Sequence, residues 1–296
     1  MIALSIKEKY INFISCYKDG VDFFVDDFGS FRKRDDSFNN ILNSILIRKK
    51  ISKSNMKSKK VMAFLDLDKV IFNQFKAIPQ LENENLLSLH KTSMFGKNAI
   101  SKFKDYHYQG CSDNKIISVY IDENIRREYY EGCYNIGLNL KVLSMGLFSA
   151  EYLAREVFDA KSCAKYMIWS VGDVFDEVMI IEDGLLKNVF QLLRLDKSFK
   201  IINLFGDSKY AFECADSIKK NFEKSLSSID FIDKIYMYQK SSHCDMKKII
   251  KKNKDKVIIL NPLSKMNLPK KAKFDEISSS YLSEMGYIFK QQATND

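Results

Sequence analysis

The feature that most restricts the fold of this chain is a run of three short strands between residues 165 and 195. The run reads KYMIWSVGD, VFDEVMIIEDG and LLKNVFQLL, with breaks at Gly172-Asp173 and Asp183-Gly184. An Asp-Gly pair between two β-rich stretches is a strong hairpin signal, because a type I′ turn needs positive φ at both central residues. Gly172 similarly lets the chain reverse at the first break. We therefore predict an antiparallel three-stranded meander here.

A second meander of the same kind is predicted at the N-terminus. Residues 1–6 and 10–17 have strand composition and flank Lys7-Glu8-Lys9, and the turn at Lys18-Asp19-Gly20 leads into a third strand at 21–25. Two copies of one supersecondary unit within a single chain predict a duplicated α/β protein with two lobes.

The rest of the chain alternates between helical and strand patterns. Helices are predicted at 37–48, 123–136, 147–159, 207–223, 244–253 and 276–290. We also predict a strand pair at 60–65 and 70–77, joined by Asp66-Leu67-Asp68. The order of elements from 81 to 143 is helix, strand, strand, helix, strand, which is typical of a compact α/β insertion.

Composition excludes several classes of protein. The six cysteines form no C-x-x-C pair and the three histidines are dispersed, so neither a zinc framework nor a disulfide scaffold is predicted. Cys133 and Cys214 lie on apolar helical stripes and are expected to be buried thiols, and His90 is expected to be structural. No apolar run is long enough to span a bilayer, which favours a cytoplasmic protein.

Basic residues outnumber acidic ones by 47 to 38, and the excess is concentrated in residues 48–60, 247–256 and 270–273. Nucleic acid or an anionic membrane surface could attract such runs. The runs contain few aromatic residues for stacking on bases and match no nucleic-acid module, so a solvated surface is favoured.

The closely spaced Asp66 and Asp68 could be proposed as metal ligands. Two aspartates at a strand turn are more often turn formers, and no third ligand follows at useful spacing. We therefore expect a turn at this position.

Three stretches, taken in order, resemble the PilM family of actin-like assembly proteins of type IV pili and the cytoplasmic domain of the type II secretion protein GspL. They are KKVMAFLDLDKVIFNQFKAIP at 59–79, KIISVYIDENIRREYYEGCYNIGLNLKVLSMGLFSAEYLAREV at 115–157, and NPLSKMNLP with SSYLSEMGYIFK at 261–269 and 279–290. The resemblance implies an actin-like, ribonuclease-H-like duplicated α/β fold with an inserted small α/β subdomain. The implied units are a first lobe at 1–79 and 139–162, the inserted subdomain at 80–138, and a reduced second lobe with a C-terminal docking helix at 163–296.

The resemblance also implies nucleotide-binding loops at the first turn of each meander and at a later glycine loop. Such loops use Asp-x-Gly, but here Ser5 and Lys7 occupy the first loop and Ser170 precedes Gly172 in the second. At the third position, the later glycine loop, Gly206 is the one glycine that remains. The chain also passes almost directly from Leu195 to Ile201, where the family has several dozen residues. We therefore expect no catalytic residue, no bound metal and no ATP–Mg²⁺ cofactor.

These departures favour a non-catalytic scaffold of a type IV pilus or type II secretion machine, peripheral at the inner membrane. By analogy it binds the cytoplasmic tail of an inner-membrane protein in a groove between the inserted subdomain and the body, with the assembly ATPase as a second partner. The candidate tail-binding residues are Phe72, Phe75, Ile117, Val119 and Ile121. The alternatives are an active actin-like ATPase or small-molecule kinase, an FtsA-like cytoskeletal or division protein, and a nucleic-acid-binding protein.

Overall fold

A computed structural model describes residues 1–7, 10–32, 60–76, 78, 82–108, 115–135, 137–195, 198–222, 231–240, 246, 255–269 and 275–292. The helix predicted at 37–48 lies outside these residues, and so does the basic helix predicted at 244–253 apart from Met246.

The first lobe is built on a five-stranded sheet with the order β3-β2-β1-β4-β8. Its strands are β1 (Ile2–Ile6), β2 (Tyr10–Asp19), β3 (Asp22–Arg32), β4 (Lys60–Leu65) and β8 (Asn139–Met145). The first three strands are antiparallel, whereas β4 lies parallel to β1 and β8 lies parallel to β4. The predicted N-terminal meander is therefore confirmed.

The second lobe repeats this arrangement in a six-stranded sheet with the order β12-β11-β10-β9-β13-β14. Its strands are β9 (Lys165–Val171), β10 (Phe175–Glu182), β11 (Leu185–Leu195), β12 (Ser198–Phe205), β13 (Lys234–Gln239) and β14 (Val257–Ile259). The strands β9, β10 and β11 form the predicted meander, and β13 and β14 run parallel to β9 as β4 and β8 do to β1. Asp183 and Gly184 have φ values of 50° and 74°, as a type I′ turn requires.

A smaller antiparallel sheet with the order β5-β7-β6 forms the inserted subdomain. It consists of β5 (Val70–Lys76), β6 (Phe103–Tyr108) and β7 (Lys115–Asp122), with helices α1 (Asn83–Phe95) and α2 (Glu123–Asn135) beside it. The predicted pairing of 60–65 with 70–77 is wrong, because a short 3₁₀ turn at Leu67–Lys69 carries the chain from the first sheet to this one. The sheet of the insertion thus includes a strand from before residue 80.

Helix α3 (Gly146–Val157) and a C-terminal helical segment (Ser280–Gln292) lie against each other between the large sheets. A Cβ atom on Gly286 would lie 2.4 Å from the carbonyl oxygen of Ser149, so glycine permits this close approach. One apolar core contains residues of both large sheets, α3 and the C-terminal segment. The two lobes therefore share a core and do not form independent globules.

Helix α4 (Ser208–Phe222) packs its apolar stripe on the second sheet. Cys214 on this helix and Cys133 on α2 are buried free thiols, as predicted. No helix in the described part of the chain is both long enough and apolar enough to cross a membrane.

The first prediction concerns Gly206, which lies in the turn between β12 and α4. Gly206 has a φ of 101°, and a Cβ atom there would lie 2.2 Å from the carbonyl oxygen of Lys187. We expect Gly206→Ala to lower the free energy of unfolding by roughly 2–4 kcal/mol, since both the backbone conformation and the space exclude a side chain.

Gly184→Ala is the matched control, because Gly184 also has a positive φ but a Cβ atom there would have no other atom within 4 Å. It should cost about 1–2 kcal/mol from the backbone conformation alone. Denaturant unfolding measures both losses, and equal losses would contradict the proposed steric contact.

Candidate functional site

The candidate site is a group of charged side chains where the two lobes meet. Its members come from five separate segments: the hairpin after β1, the end of β4, strand β10, the residue after β13, and the C-terminal segment. They are Lys7, Asp66, Glu177, Lys240 and Glu284. Their side chains are between 0% and 17% exposed, so the group is largely removed from solvent.

Two ammonium groups hold the three carboxylates together. Lys7 forms ion pairs with both Asp66 and Glu284. The Nζ of Lys240 lies 2.7 Å from Glu177 Oε1 and 3.8 Å from Asp66 Oδ1. Because Asp66 contacts both lysines, the five charges form one continuous network.

Further hydrogen bonds extend this network across the lobes. The backbone N–H of Leu67 in the first lobe donates to Glu177 Oε1 at 3.0 Å, and Gln191 Nε2 donates to the same oxygen at 3.1 Å. The side chain of Asn12 in β2 donates to the carbonyl oxygen of Lys240 at 3.0 Å. The contact between the lobes at this point is therefore polar and hydrogen-bonded.

The C-terminal segment reaches the network through Glu284. The Ser5 hydroxyl donates to Glu284 Oε2 at 2.5 Å, and Lys7 contacts the same oxygen. The other oxygen, Oε1, is buried and has no hydrogen-bond partner. Glu284 is therefore held from one side, by the first hairpin.

The surroundings of Asp66 and Glu284 shift their pKa values in opposite directions. Burial raises the pKa of Glu284 and outweighs the attraction of Lys7. Burial also acts to raise the pKa of Asp66, but Lys240 and Lys7 together hold it below its usual value. The pKa of Lys7 is raised, since its carboxylate neighbours outweigh the opposing effect of burial. Of Asp66 and Glu284, Glu284 is therefore the carboxyl that retains a proton more readily.

In the turn between β9 and β10, the backbone N–H of Gly172 is hydrogen-bonded to a side chain of the protein itself. A Cβ atom on Gly172 would lie 2.1 Å from the Phe175 carbonyl oxygen, so the tight turn requires glycine. The N–H of Gly172 donates to Asp176 Oδ1 at 3.0 Å, and Arg194 forms an ion pair with the same oxygen at 2.6 Å. This amide therefore already has an anionic acceptor.

The loop residues selected from the sequence lie in different surroundings. Ser5 and Lys7 are in the network, and Ser170 is buried next to it, paired in register with Glu177 and Tyr238 on the neighbouring strands. Gly206 lies elsewhere, against the Lys187 carbonyl at the edge of the second sheet.

The five candidate tail-binding residues are mainly core residues. Phe75, Ile117, Val119 and Ile121 are at most 5% exposed. Phe72 is half-buried, and its ring lies 6.1 Å from that of Phe148 and 5.7 Å from that of Phe205. Ile117, Val119 and Ile121 are buried because β7 is the central strand of its sheet, whereas Phe75 of β5 packs against helix α1. A role for these residues in binding a partner stays a prediction.

Sequence reasoning missed Glu177, Lys240 and Glu284, and it assigned Asp66 only to a turn. Asp66 does precede the 3₁₀ turn, whereas Asp68 is half-exposed and pairs with Lys69. One signal was available for Glu177. Asp176 and Glu177 are adjacent charged residues, followed by four apolar ones, so one of them must face each side of a buried sheet. No local signal marks Lys240 or Glu284.

The three carboxylates raise the question of a metal ion. One oxygen from each of Asp66, Glu177 and Glu284 lies within 4.8 Å of the other two, and oxygen ligands suit Mg²⁺. Both ammonium groups, however, already pair with these carboxylates. A divalent cation would have to displace Lys7 and Lys240, so the present arrangement does not fit a metal ion, and its carboxylates would repel a nucleotide phosphate.

Comparison with solved structures shows which proteins share this architecture. A chain of the PilM–PilN type IV pilus biogenesis complex superposes with a TM-score of 0.66 at 9% sequence identity, covering 98% of this chain and 97% of that one. The chain has an actin-like fold. The predicted fold class and the predicted resemblance to PilM are thereby confirmed at the level of fold.

Two more distant structures were also found. The cytoplasmic domain of EpsL, an inner membrane component of the type II secretion system of Vibrio cholerae, gives a TM-score of 0.48 at 8% identity, covering 100% of this chain and 94% of that one. A protein of actin-like ATPase fold and unknown function from Bacteroides thetaiotaomicron gives 0.44 at 14% identity, covering 90% and 91%. No protein-family model and no curated protein sequence matches the chain.

The network of this actin-like protein generates a prediction about Lys7. We expect Lys7→Met to lower the free energy of unfolding by about 3–5 kcal/mol, because it leaves buried carboxylates without their ammonium partner. Lys69→Met removes the same group from the half-exposed pair with Asp68 and should cost less than about 1 kcal/mol. Urea denaturation of both variants measures the difference, and similar losses would show that the Lys7 pair contributes no more than a surface pair.

A second prediction concerns pH and Glu284, whose charged neighbours are Lys7, Asp66, Glu177 and Lys240, with the Tyr238 hydroxyl also nearby. Because its pKa is raised in the folded protein, the unfolded chain loses this proton first. The free energy of unfolding therefore falls as pH rises above about 4.3, the ordinary glutamate value. We expect Glu284→Gln to remove this fall, so that the variant gains stability relative to the native protein as pH rises through that window.

Glu182→Gln is the control with the opposite sign. Hydrogen bonding to Lys165 lowers the pKa of Glu182, so its contribution is present above its ordinary pKa and is lost as pH falls. The control should therefore lose stability relative to the native protein as pH rises from acid. Unfolding free energies measured between about pH 3 and 8 test both signs, and parallel curves for the native protein and Glu284→Gln would contradict the assignment.

Proposed function

We propose that this protein is a non-catalytic, actin-like scaffold of a type IV pilus or type II secretion machine. It would act in the cytoplasm at the inner membrane and bind the cytoplasmic tail of a membrane protein of that machine, with the assembly ATPase as a second partner. The observation that carries the proposal is the match in fold, over nearly the whole of both chains, to a chain of the PilM–PilN complex.

The site between the lobes supports the non-catalytic part of the proposal. Lys7 and Lys240 neutralise the carboxylates that a metal ion would need. The N–H of Gly172, which could otherwise approach a phosphate, donates to Asp176. An enzyme acting on nucleotides would need these groups available for substrate.

We propose that the cytoplasmic tail of the partner binds at the seam between the inserted subdomain, which contains β5, and the two lobes. Phe72 of β5 lies at this seam, between Phe148 of α3 and Phe205 of β12, and it is the one half-buried residue of the five selected from the sequence. An apolar side chain from a partner could replace these ring contacts. The neighbouring Ile71 points to the opposite face of the same strand and is 40% exposed.

Affinity capture from cells that assemble the machine tests the partner. We expect the native protein to recover inner-membrane assembly proteins, Phe72→Ser to recover at least about tenfold less, and Ile71→Ser to match the native protein, since about 1.4 kcal/mol of lost contact changes binding tenfold. Circular dichroism spectra and melting curves would establish that both variants are folded. Absence of any inner-membrane assembly protein from the native capture would overturn the proposal.

An active actin-like ATPase is the second candidate, favoured by the three carboxylates that come within 4.8 Å of one another. Calorimetric titration with Mg-ATP separates the two functions. The scaffold proposal predicts no binding at micromolar concentrations, whereas micromolar binding that Lys240→Met alters would establish the enzyme instead.

A further inference from the structure

The Lys240 ammonium group lies where carboxylates of both lobes come together. It is 2.7 Å from Glu177 Oε1 of the second lobe and 3.8 Å from Asp66 Oδ1 of the first. Glu284 contributes a third carboxylate, and one oxygen from each of the three acidic residues lies within 4.8 Å of the other two. These oxygens attract positive charge, and here a side chain of the protein supplies part of it.

The backbone of Lys240 is fixed by hydrogen bonds to both lobes. Its N–H donates to the carbonyl oxygen of Val171 at 2.8 Å, and its carbonyl oxygen accepts from Asn12 Nδ2 at 3.0 Å. A Cβ atom on Gly172 would lie 3.2 Å from Lys240 Cδ, so the aliphatic part of the lysine passes close to the glycine turn between β9 and β10. The fold therefore holds this ammonium group among the carboxylates.

The charge count of the cluster shows what would replace Lys240. Three carboxylates face the two ammonium groups of Lys7 and Lys240. Without Lys240, three negative charges would face one positive charge, and the excess of two equals the charge of one divalent cation. Lys7 contacts Glu284 through Oε2, whereas Glu284 Oε1 is buried without a hydrogen-bond partner. An oxygen is thus available for a cation, and leaving it without a partner is costly.

The spacing of the carboxylates indicates which cation would fit. Ca²⁺ binds oxygen at about 2.3–2.6 Å, so oxygens on opposite sides of the ion lie about 4.6–5.2 Å apart. Mg²⁺ binds at about 2.0–2.1 Å, which brings opposite oxygens to about 4.0–4.2 Å. A set of oxygens within 4.8 Å of one another can therefore surround Ca²⁺ with little rearrangement, whereas Mg²⁺ requires them to move closer together.

We propose that Lys240 is a built-in cation that takes the place of a divalent metal ion, and that Asp66, Glu177 and Glu284 form a Ca²⁺ site once Lys240 is removed. In the native protein the lysine makes the contact between the lobes independent of divalent cations. This inference goes beyond the scaffold function, because it concerns the charge between the lobes and not the surface that binds a partner.

Thermal unfolding of the full chain tests the inference. We expect 10 mM CaCl₂, compared with sodium chloride at equal ionic strength, to raise the melting temperature of Lys240→Ala by at least about 3 °C, with a smaller shift for MgCl₂. The native protein should show no shift, because its ammonium group already pairs with the carboxylates. A folded Lys240→Ala protein that CaCl₂ does not stabilise, a native protein that responds equally, or a larger shift with MgCl₂ would overturn the inference.

Two control variants show where the ion binds. The double variant Lys240→Ala/Glu177→Gln lacks one of the three carboxylates and should lose most of the Ca²⁺ shift. Lys165→Ala is the matched surface control, because Lys165 pairs with Glu182 at 2.9 Å and both side chains are at least 20% exposed. It should not respond to Ca²⁺. A double variant that responds as strongly as Lys240→Ala would show that Ca²⁺ binds elsewhere and would contradict the proposed site.

Refolding followed by circular dichroism keeps the test decisive if Lys240→Ala does not fold without added ion. We then expect CaCl₂ to restore the native spectrum, because a ligand that binds only the folded state shifts the equilibrium toward it. A variant that stays unfolded in both CaCl₂ and sodium chloride would overturn the inference. Calorimetric titration of the folded protein should show one Ca²⁺ bound per Lys240→Ala chain and no binding to the native chain at the same concentrations.

Discussion

The buried charge network in which Lys240 and Glu177 of the second lobe meet Asp66 and Leu67 of the first is the interaction on which the arrangement of the two lobes depends. Removing charged groups from water is costly, and the cost is offset only when each charge has a close partner of opposite sign. Here the partners come from segments far apart in the chain: the first hairpin, the end of β4 and the C-terminal segment. None of these charges can be satisfied unless the whole fold is assembled, so the network specifies one relative position of the lobes.

The apolar core and the network support each other. The core that spans both lobes brings α3 and the C-terminal segment together through close contact at Gly286. This contact places Glu284 opposite Gly146, at the start of α3. A bulkier residue at either glycine would move the carboxylate away from its donors. Packing therefore determines where the charge lies, and the charge then limits how far the packed elements can move.

Short-range signals allowed much of the fold to be predicted. The type I′ turn at Asp183-Gly184 depends on two adjacent residues, and the end of α2 depends on Gly137, whose φ is 76°. The strand pairing predicted at Asp66 failed for a different reason. A turn sequence shows that the chain changes direction, but only tertiary contacts decide which sheet receives the next strand.

The candidate site could be predicted only in part. The resemblance to the actin-like family drew attention to Ser5 and Lys7 as altered loop positions, but Glu284 reaches Ser5 across 279 positions of sequence. The burial of Ile117 and Val119 could not be predicted, because it depends on the strand that pairs on each side of β7 and on the elements that pack over it. Periodicity alone does not show which face of a strand is open.

A network of this kind has consequences for a scaffold. A protein whose lobes are held by exchangeable nucleotide can change shape when the nucleotide changes, whereas side chains cannot dissociate from their own chain. The angle between the lobes is then set by the fold, and a partner bound at the seam near Phe72 meets one conformation. Preorganisation of this type favours binding, because little conformational freedom is lost when the partner docks. Under the proposed function, the same residues that make the cleft unsuitable for Mg²⁺ would help the protein to hold its partner in a fixed position.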